Sequence, residues 1–173
     1  SETAGRFVER VVGGGGVVVS INYRLAPRSA FPARRMEVKK AIAWVKDNIA
    51  EYGGDPNFIV VTGGSAGGHL SLLAGLTPNH ADWQTGFEHV DTAVQGVLAL
   101  YPVVDLTNRH GIRQQSNMDS FIAQRIIQQS REEAPAIYED GSPISWIHRP
   151  SVAEAAPPMF IVQGTHDSLV WVE

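Results

Sequence analysis

One serine in this chain lies in a sequence pattern that suits a nucleophile. The run Phe58–Thr62 is apolar and β-branched, which predicts a buried strand, and it leads into the pattern G-x-S-x-G at residues 63–67. Leucines at near-helical spacing follow, so residues 67–77 are predicted to form a helix. A strand, a sharp turn and a helix in this order would expose the Ser65 hydroxyl at the end of a sheet.

The glycines around Ser65 support this interpretation on steric grounds. A serine on such a turn has a strained backbone, which is tolerated only where neighbouring side chains are absent or small. We therefore assign Gly63, Gly64 and Gly67 to the turn, with Gly63 and Gly67 leaving the space that Ser65 needs. Because N–H groups at a helix N-terminus favour negative charge, the Ala66 N–H is the expected donor to an oxyanion.

This segment has two alternative interpretations. A glycine-rich loop with an incidental serine remains the simplest alternative. A phosphate-binding loop is disfavoured, because no lysine follows the glycines and the pattern G-x-G-x-x-G is not matched.

Asp167 is the second candidate catalytic residue. It follows a predicted strand at Met159–Gln163, and functional groups in open parallel sheets lie just beyond the carboxyl ends of strands. On folds with this kind of serine turn, the acid follows the serine in the sequence and orients a histidine base. An aspartate that only accepts hydrogen bonds from its own turn is the alternative.

The same chain order requires a histidine after Asp167, and none follows. The six histidines, at positions 69, 80, 89, 110, 148 and 166, all precede it. The segment Gly13–Gly16 is predicted to connect a helix to a strand, because a strand pattern follows it. An oxyanion loop that accompanies this kind of serine turn has a histidine before its glycines, and no histidine precedes Gly13. We expect a chain truncated at both ends, with its catalytic histidine and oxyanion loop outside it.

Three segments together resemble a known family. The runs Asn22-Tyr-Arg-Leu-Ala-Pro and Tyr52-Gly-Gly-Asp-Pro-Asn and the serine turn Gly63–Leu70 are similar to the α/β-hydrolase superfamily, in particular the hormone-sensitive-lipase-like carboxylesterases, including mycobacterial Lip-type esterases. The resemblance implies a Ser–Asp–His triad, an oxyanion hole, a small-molecule or lipid ester substrate and no cofactor. Amidase, peptidase or formamidase activity on the same triad stays open, as does a non-catalytic fragment or binding module.

The amino-acid composition disfavours several classes of protein and of binding partner. The chain has 173 residues, of which 43% are hydrophobic and 18% charged, as expected for a globular protein. Its net charge of −4 disfavours nucleic acid and anionic membranes as partners. It has no cysteine, no apolar run of membrane-spanning length and no H-E-x-x-H pattern for a metal. We expect a cytoplasmic protein, with envelope association or secretion of a parent protein left open.

The periodicity of the rest of the chain predicts a single α/β domain over residues 1–173. Helices are predicted at 2–12, at 38–52 before Gly53-Gly54 and, as a helical pattern, at 118–139; further strands are predicted at 17–23 and 94–104. Alternating strands and helices indicate a doubly wound, mostly parallel sheet with flanking helices, here a partial α/β-hydrolase fold. A small helical cap insertion is predicted at about 106–150.

Overall fold

The computed structural model describes residues 2–24, 33–112, 117–167 and 169–170. Its strands are β1 (Val60–Gly64), β2 (Gly96–Leu100) and β3 (Met159–Val162). Its α-helices are α1 (Glu2–Gly13), α2 (Ala33–Asn48), α3 (Ala66–Leu76), α4 (Asn117–Phe121), α5 (Pro135–Gly141), α6 (Pro143–Ile147) and α7 (Pro150–Ala155). Short 3₁₀ helices cover Ile49–Tyr52 and Ala81–Trp83, and a π-helix covers Ile122–Ile127.

The three strands form one parallel sheet in the order β1-β2-β3. Helix α3 packs on β1 and β2, and α2 and α6 pack on α3. On this side, Val97 and Ala99 of the central strand are buried in the core. The predicted parallel sheet with flanking helices is therefore confirmed. Side chains on the strands also remain exposed, among them Val60 (49%) and Phe160 (68%).

The predicted strand at Val17–Tyr23 is wrong for this structure. Residues 16–24 are assigned neither strand nor helix, and Val17, Val19 and Ile21 are exposed. Apolar, β-branched composition favours a strand only where a neighbouring strand supplies hydrogen-bond partners. In the described part of the chain, β1 pairs with β2 alone, so this segment finds no partner in the sheet.

Glycines end both N-terminal helices, as predicted. After α1, Gly15 has a φ of 87°, its N–H bonds to the Val12 carbonyl, and the Gly16 N–H bonds to the Val11 carbonyl. Gly53, with a φ of 81°, ends the helical segment before it in the same way. This pair of bonds around a left-handed residue is the Schellman cap. The tetraglycine thus ends a helix, as predicted, but the strand predicted to follow it is not formed.

The segment predicted as a cap insertion contains α4, the π-helix, α5 and α6. Several of its apolar side chains are buried in the same cluster as α3 and β2: Ile122, Ile127, Tyr138 and Trp146. The segment is therefore tied to the main core, although the sequence shows little sign of this. Within the described ranges, no helix is both long and apolar enough to cross a membrane.

Candidate active site

Ser65 connects β1 to α3 with a backbone that few side chains adopt. Its φ is 53° and its ψ is −119°. For a residue with a Cβ atom this conformation is strained, and such strain persists only where surrounding contacts enforce it. The predicted strand, turn and helix are all present, with β1 ending at Gly64 and α3 beginning at Ala66.

The Ser65 hydroxyl is not used to cap the helix that follows it. A serine before a helix usually accepts a hydrogen bond from an N–H in the first turn, with its own backbone in the β region. Here the side chain makes no capping bond, and no described residue bonds to it. Ser65 is held by its backbone instead, since its N–H donates to the Leu100 carbonyl (2.9 Å) and its carbonyl accepts from the His69 N–H (2.9 Å).

The first turn of α3 lies directly beside this hydroxyl. Ala66 is exposed, and its N–H has no hydrogen-bond partner among the described residues. The first turn also contains no acidic side chain that would oppose an anion. A free N–H at a helix N-terminus next to a nucleophile is the arrangement that stabilises an oxyanion.

The structure locates the steric constraint on one side of Ser65. A Cβ atom on Gly63 would lie 2.6 Å from the carbonyl carbon of Gly67, so only glycine fits there. At Gly67, a Cβ would meet nothing within 4 Å. The space predicted to be needed at Gly67 is therefore not required: the close approach is made by the Gly67 backbone toward Gly63.

Two further glycine contacts at this turn were not predicted from the sequence. A Cβ on Gly68 would lie 3.0 Å from the carbonyl oxygens of both Gly63 and Leu100. A Cβ on Gly64 would lie 2.5 Å from the hydroxyl oxygen of Tyr101. The four glycines around Ser65-Ala66 were the available signal, but the contacts with Leu100 and Tyr101 come from β2 and the residue after it.

Asp167 lies in a turn after β3 and is held by its own neighbours. Its Oδ1 accepts the N–H groups of Val170 and Leu169, both at 2.9 Å, and its Oδ2 accepts a bond from the Gln163 side chain at 3.2 Å. The bonds from Val170 and then Leu169 hold the pKa of Asp167 below its ordinary value. The carboxylate therefore stays ionised, as a triad acid requires.

Ser65 and Asp167 lie at the same edge of the sheet. Gly64 is in register with Leu100, and Leu100 with Val162, so β1, β2 and β3 end side by side. Ser65 follows β1 directly and Asp167 follows β3. The two strands are separated by β2, which corresponds to about 10 Å across the sheet.

No histidine in the described part of the chain bonds to Ser65 or Asp167. The His69 Nδ1 lies 2.7 Å from the Val103 carbonyl, to which it must donate because a carbonyl only accepts. His166 is exposed, with its Nδ1 3.1 Å from the Thr165 hydroxyl. His80 stacks on Trp83 at 4.8 Å, and burial lowers its pKa. The contacts given for these three histidines are with residues other than Ser65 and Asp167.

Asp105, which also follows a strand, has a structural role. The residue is 2% exposed, and its carboxylate accepts hydrogen bonds from the N–H and hydroxyl groups of Thr107 and from the Arg109 N–H. Arg109 further bonds to Glu139 and Ser145. Asp105 thereby anchors the loop after β2 to the helical segment. No group of three or more metal-ligating side chains occurs within the described residues.

The parallel sheet and the glycine-flanked serine turn define an α/β-hydrolase fold, and comparisons with known proteins agree. A truncated form of a carbohydrate esterase from gut microbiota superposes with a TM-score of 0.78 at 28% identity, covering 93% of this chain and 59% of that one. Esterase 2 of Thermogutta terrifontis, solved phosphoramylated by tabun, superposes with a TM-score of 0.70 at 26% identity, covering 96% of this chain and 55% of that one.

The family model BD-FAE matches residues 2–173, and the chain belongs to this family. Among its relatives in Mycobacterium tuberculosis (strain ATCC 25618 / H37Rv), esterase LipQ is 44% identical over 164 residues, which cover 95% of this chain and 37% of LipQ. The probable carboxylic ester hydrolase LipM is 45% identical over 159 residues, covering 92% of this chain and 36% of LipM. The chain thus spans little more than a third of the length of these relatives.

Proposed function

We propose that this chain supplies the nucleophile and the acid of a carboxylic ester hydrolase. The observation that carries the proposal is Ser65, whose strained backbone presents an unbonded hydroxyl beside the free N–H of Ala66. Strain of this kind has no evident structural benefit, because an N-capping serine would stabilise α3 better. A nucleophile turn explains both the conformation and the unused hydroxyl.

In the proposed reaction, the Ser65 hydroxyl oxygen attacks the carbonyl carbon of an ester. A histidine takes the serine proton and delivers it to the leaving alcohol, so that an acyl-serine remains. The Ala66 N–H stabilises the negative charge on the carbonyl oxygen of the intermediate. Water, deprotonated by the same histidine, then releases the carboxylic acid and restores Ser65. Asp167 orients the histidine and stabilises its protonated form.

None of the six histidines bonds to Ser65 or Asp167 within the described residues, so this scheme assigns the base to none of them. We propose that it belongs to sequence outside residues 1–173, as the greater length of LipQ and LipM allows. The names of both relatives support ester hydrolysis, and the tabun adduct of the Thermogutta enzyme supports a nucleophile that reacts with organophosphorus compounds. The proposed substrate class is small-molecule or lipid carboxylic esters.

The test compares the 173-residue chain with a longer version of the protein that includes flanking sequence. Both are treated with a fluorophosphonate probe, and the adduct is located by peptide mass spectrometry. We expect fast labelling of Ser65 and hydrolysis of p-nitrophenyl acetate in the longer version only, because an unactivated serine reacts slowly. Labelling of another residue would overturn the assignment of Ser65. Turnover of p-nitroacetanilide faster than of the ester would favour the amidase alternative.

A further inference from the structure

Tyr101, the residue after β2, has a backbone conformation that its side chain does not favour. Its φ is 38°, and it precedes Pro102, which restricts its backbone further. Tyr101 is 46% exposed, so burial in the core does not account for this strain. Bulky residues with positive φ are rare, and strained residues of this kind cluster at functional sites.

Tyr101 contacts the ends of both neighbouring strands. Its N–H donates to the carbonyl of Val162, the last residue of β3, at 2.6 Å. Its ring lies against Gly64, the last residue of β1, where a Cβ would come within 2.5 Å of the hydroxyl oxygen and 2.8 Å of the adjoining ring carbon. The preceding carbonyl, that of Leu100, accepts the N–H of Ser65. One residue thus joins the strands that lead to the Ser65 and Asp167 turns.

The ring also completes the support of the Ser65 turn. On the α3 side, Gly63 lies against the backbone of Gly67. Because successive residues of a strand point to opposite faces, the position at which a Gly64 side chain would project lies on the other face. Tyr101 occupies that position. The strained turn is therefore enclosed from both faces of the sheet.

We propose that Tyr101 is a positioning residue for Ser65: its ring, packed on Gly64, fixes the serine turn from the face opposite α3. The inference rests on the proposed function, because positioning matters only if Ser65 reacts. Small displacements of a nucleophile reduce the rate of the chemical step more than they reduce substrate binding. The role of Tyr101 should therefore be visible in kcat rather than in KM.

The experiment is a double-mutant cycle in the longer version of the protein, with p-nitrophenyl acetate as substrate. Tyr101→Ala and Gly64→Ala should each lower kcat about tenfold or more and leave KM within about twofold. Removing the ring should relieve the clash made by an alanine at 64, so the double variant should recover part of the kcat lost in Gly64→Ala. Tyr101→Phe should recover most of the kcat lost in Tyr101→Ala. Tyr52→Ala removes another exposed tyrosine, whose ring packs against Trp44, and should leave kcat unchanged.

The parent, the two single variants Tyr101→Ala and Gly64→Ala, and the double variant are also compared by thermal unfolding, a measurement that does not depend on catalytic activity. Non-additive shifts in the unfolding midpoint would confirm that the ring touches Gly64, and additive shifts would overturn the inference. Unchanged kcat in Tyr101→Ala would overturn the positioning role even if the contact is real. Equal losses of kcat in Tyr101→Phe and Tyr101→Ala would assign the effect to the hydroxyl group and overturn the packing role of the ring. A parent protein that hydrolyses no ester would instead overturn the proposed function, and this inference with it.

Discussion

The two turns at the carboxyl edge of the sheet are built in opposite ways. The Ser65 turn is strained and depends on distant residues, since Leu100 bonds to its backbone and Tyr101 lies against Gly64. The Asp167 turn is local, because its carboxylate accepts hydrogen bonds from residues within four positions in the sequence. A nucleophile needs an enforced conformation, whereas an orienting acid needs only a fixed, ionised carboxylate.

The largest effect should come from removing the proposed nucleophile, Ser65. Ser65→Ala should lower ester hydrolysis by the longer version of the protein by about 10⁶-fold, because nothing else in the turn can form the acyl intermediate. Unfolding should change little, since the hydroxyl makes no bond with the described residues. The matched control is Ser151→Ala, which removes an exposed serine from α7. Turnover above roughly 1% of the parent would show that Ser65 is not the nucleophile.

Removing the charge of the acid should have the second-largest effect. Asp167→Asn should reduce kcat by up to about 10⁴-fold, because the histidine would lose its orienting carboxylate. The control is Asp55→Asn: Asp55 is an exposed turn aspartate whose Oδ1 accepts the Asn57 N–H at 2.8 Å. If the two substitutions have equally small effects on p-nitrophenyl acetate hydrolysis, Asp167 serves its turn alone.

A smaller effect, on stability, should distinguish the glycines on the two sides of Ser65. Gly63→Ala places a Cβ against the Gly67 backbone and should lower the free energy of unfolding by about 1–3 kcal/mol. Gly67→Ala places a Cβ in open space on a helix and should raise the free energy of unfolding by up to about 1 kcal/mol. Urea unfolding measures both. Equal losses would mean that the turn is not packed as the structure shows.

The sequence predicted those parts of the molecule that depend on local pattern. The strand, turn and helix around Ser65 follow from a β-branched run, glycines and leucine spacing within twenty residues. The glycine caps after α1 and before Asp55 were likewise visible, because a helix end is a local event. The parallel sheet followed from the alternation of strand and helix patterns.

The features that were not predicted depend on residues far apart in the sequence. Tyr101 contacts Gly64 from 37 positions away, and neither residue alone indicates the other. The segment Val17–Tyr23 has the composition of a strand but no partner in the sheet, which composition cannot reveal. The prediction that Gly67 must be glycine for steric reasons was wrong. The sequence pattern indicates that Gly63 and Gly67 lie close together, but it does not show that a side chain at Gly63, rather than at Gly67, would clash with the other's backbone.

The smallest effect should be the loss of stability of the Asp167 turn in acid, which the Ser65 turn should not share. Hydrogen bonds from the Val170 and Leu169 N–H groups lower the pKa of Asp167 below its ordinary value of 3.8, so folding favours the ionised form. Its contribution to stability is therefore present above pH 3.8 and is lost as the pH falls through the lowered pKa of the folded state. The Ser65 turn, from Gly63 to Gly68, contains no titratable side chain and should not respond. The difference in unfolding midpoint between the parent and Asp167→Asn, measured from about pH 6 to about pH 2.5, should shrink toward the acidic end. A difference that grows on acidification would mean that the carboxylate is not held by its turn.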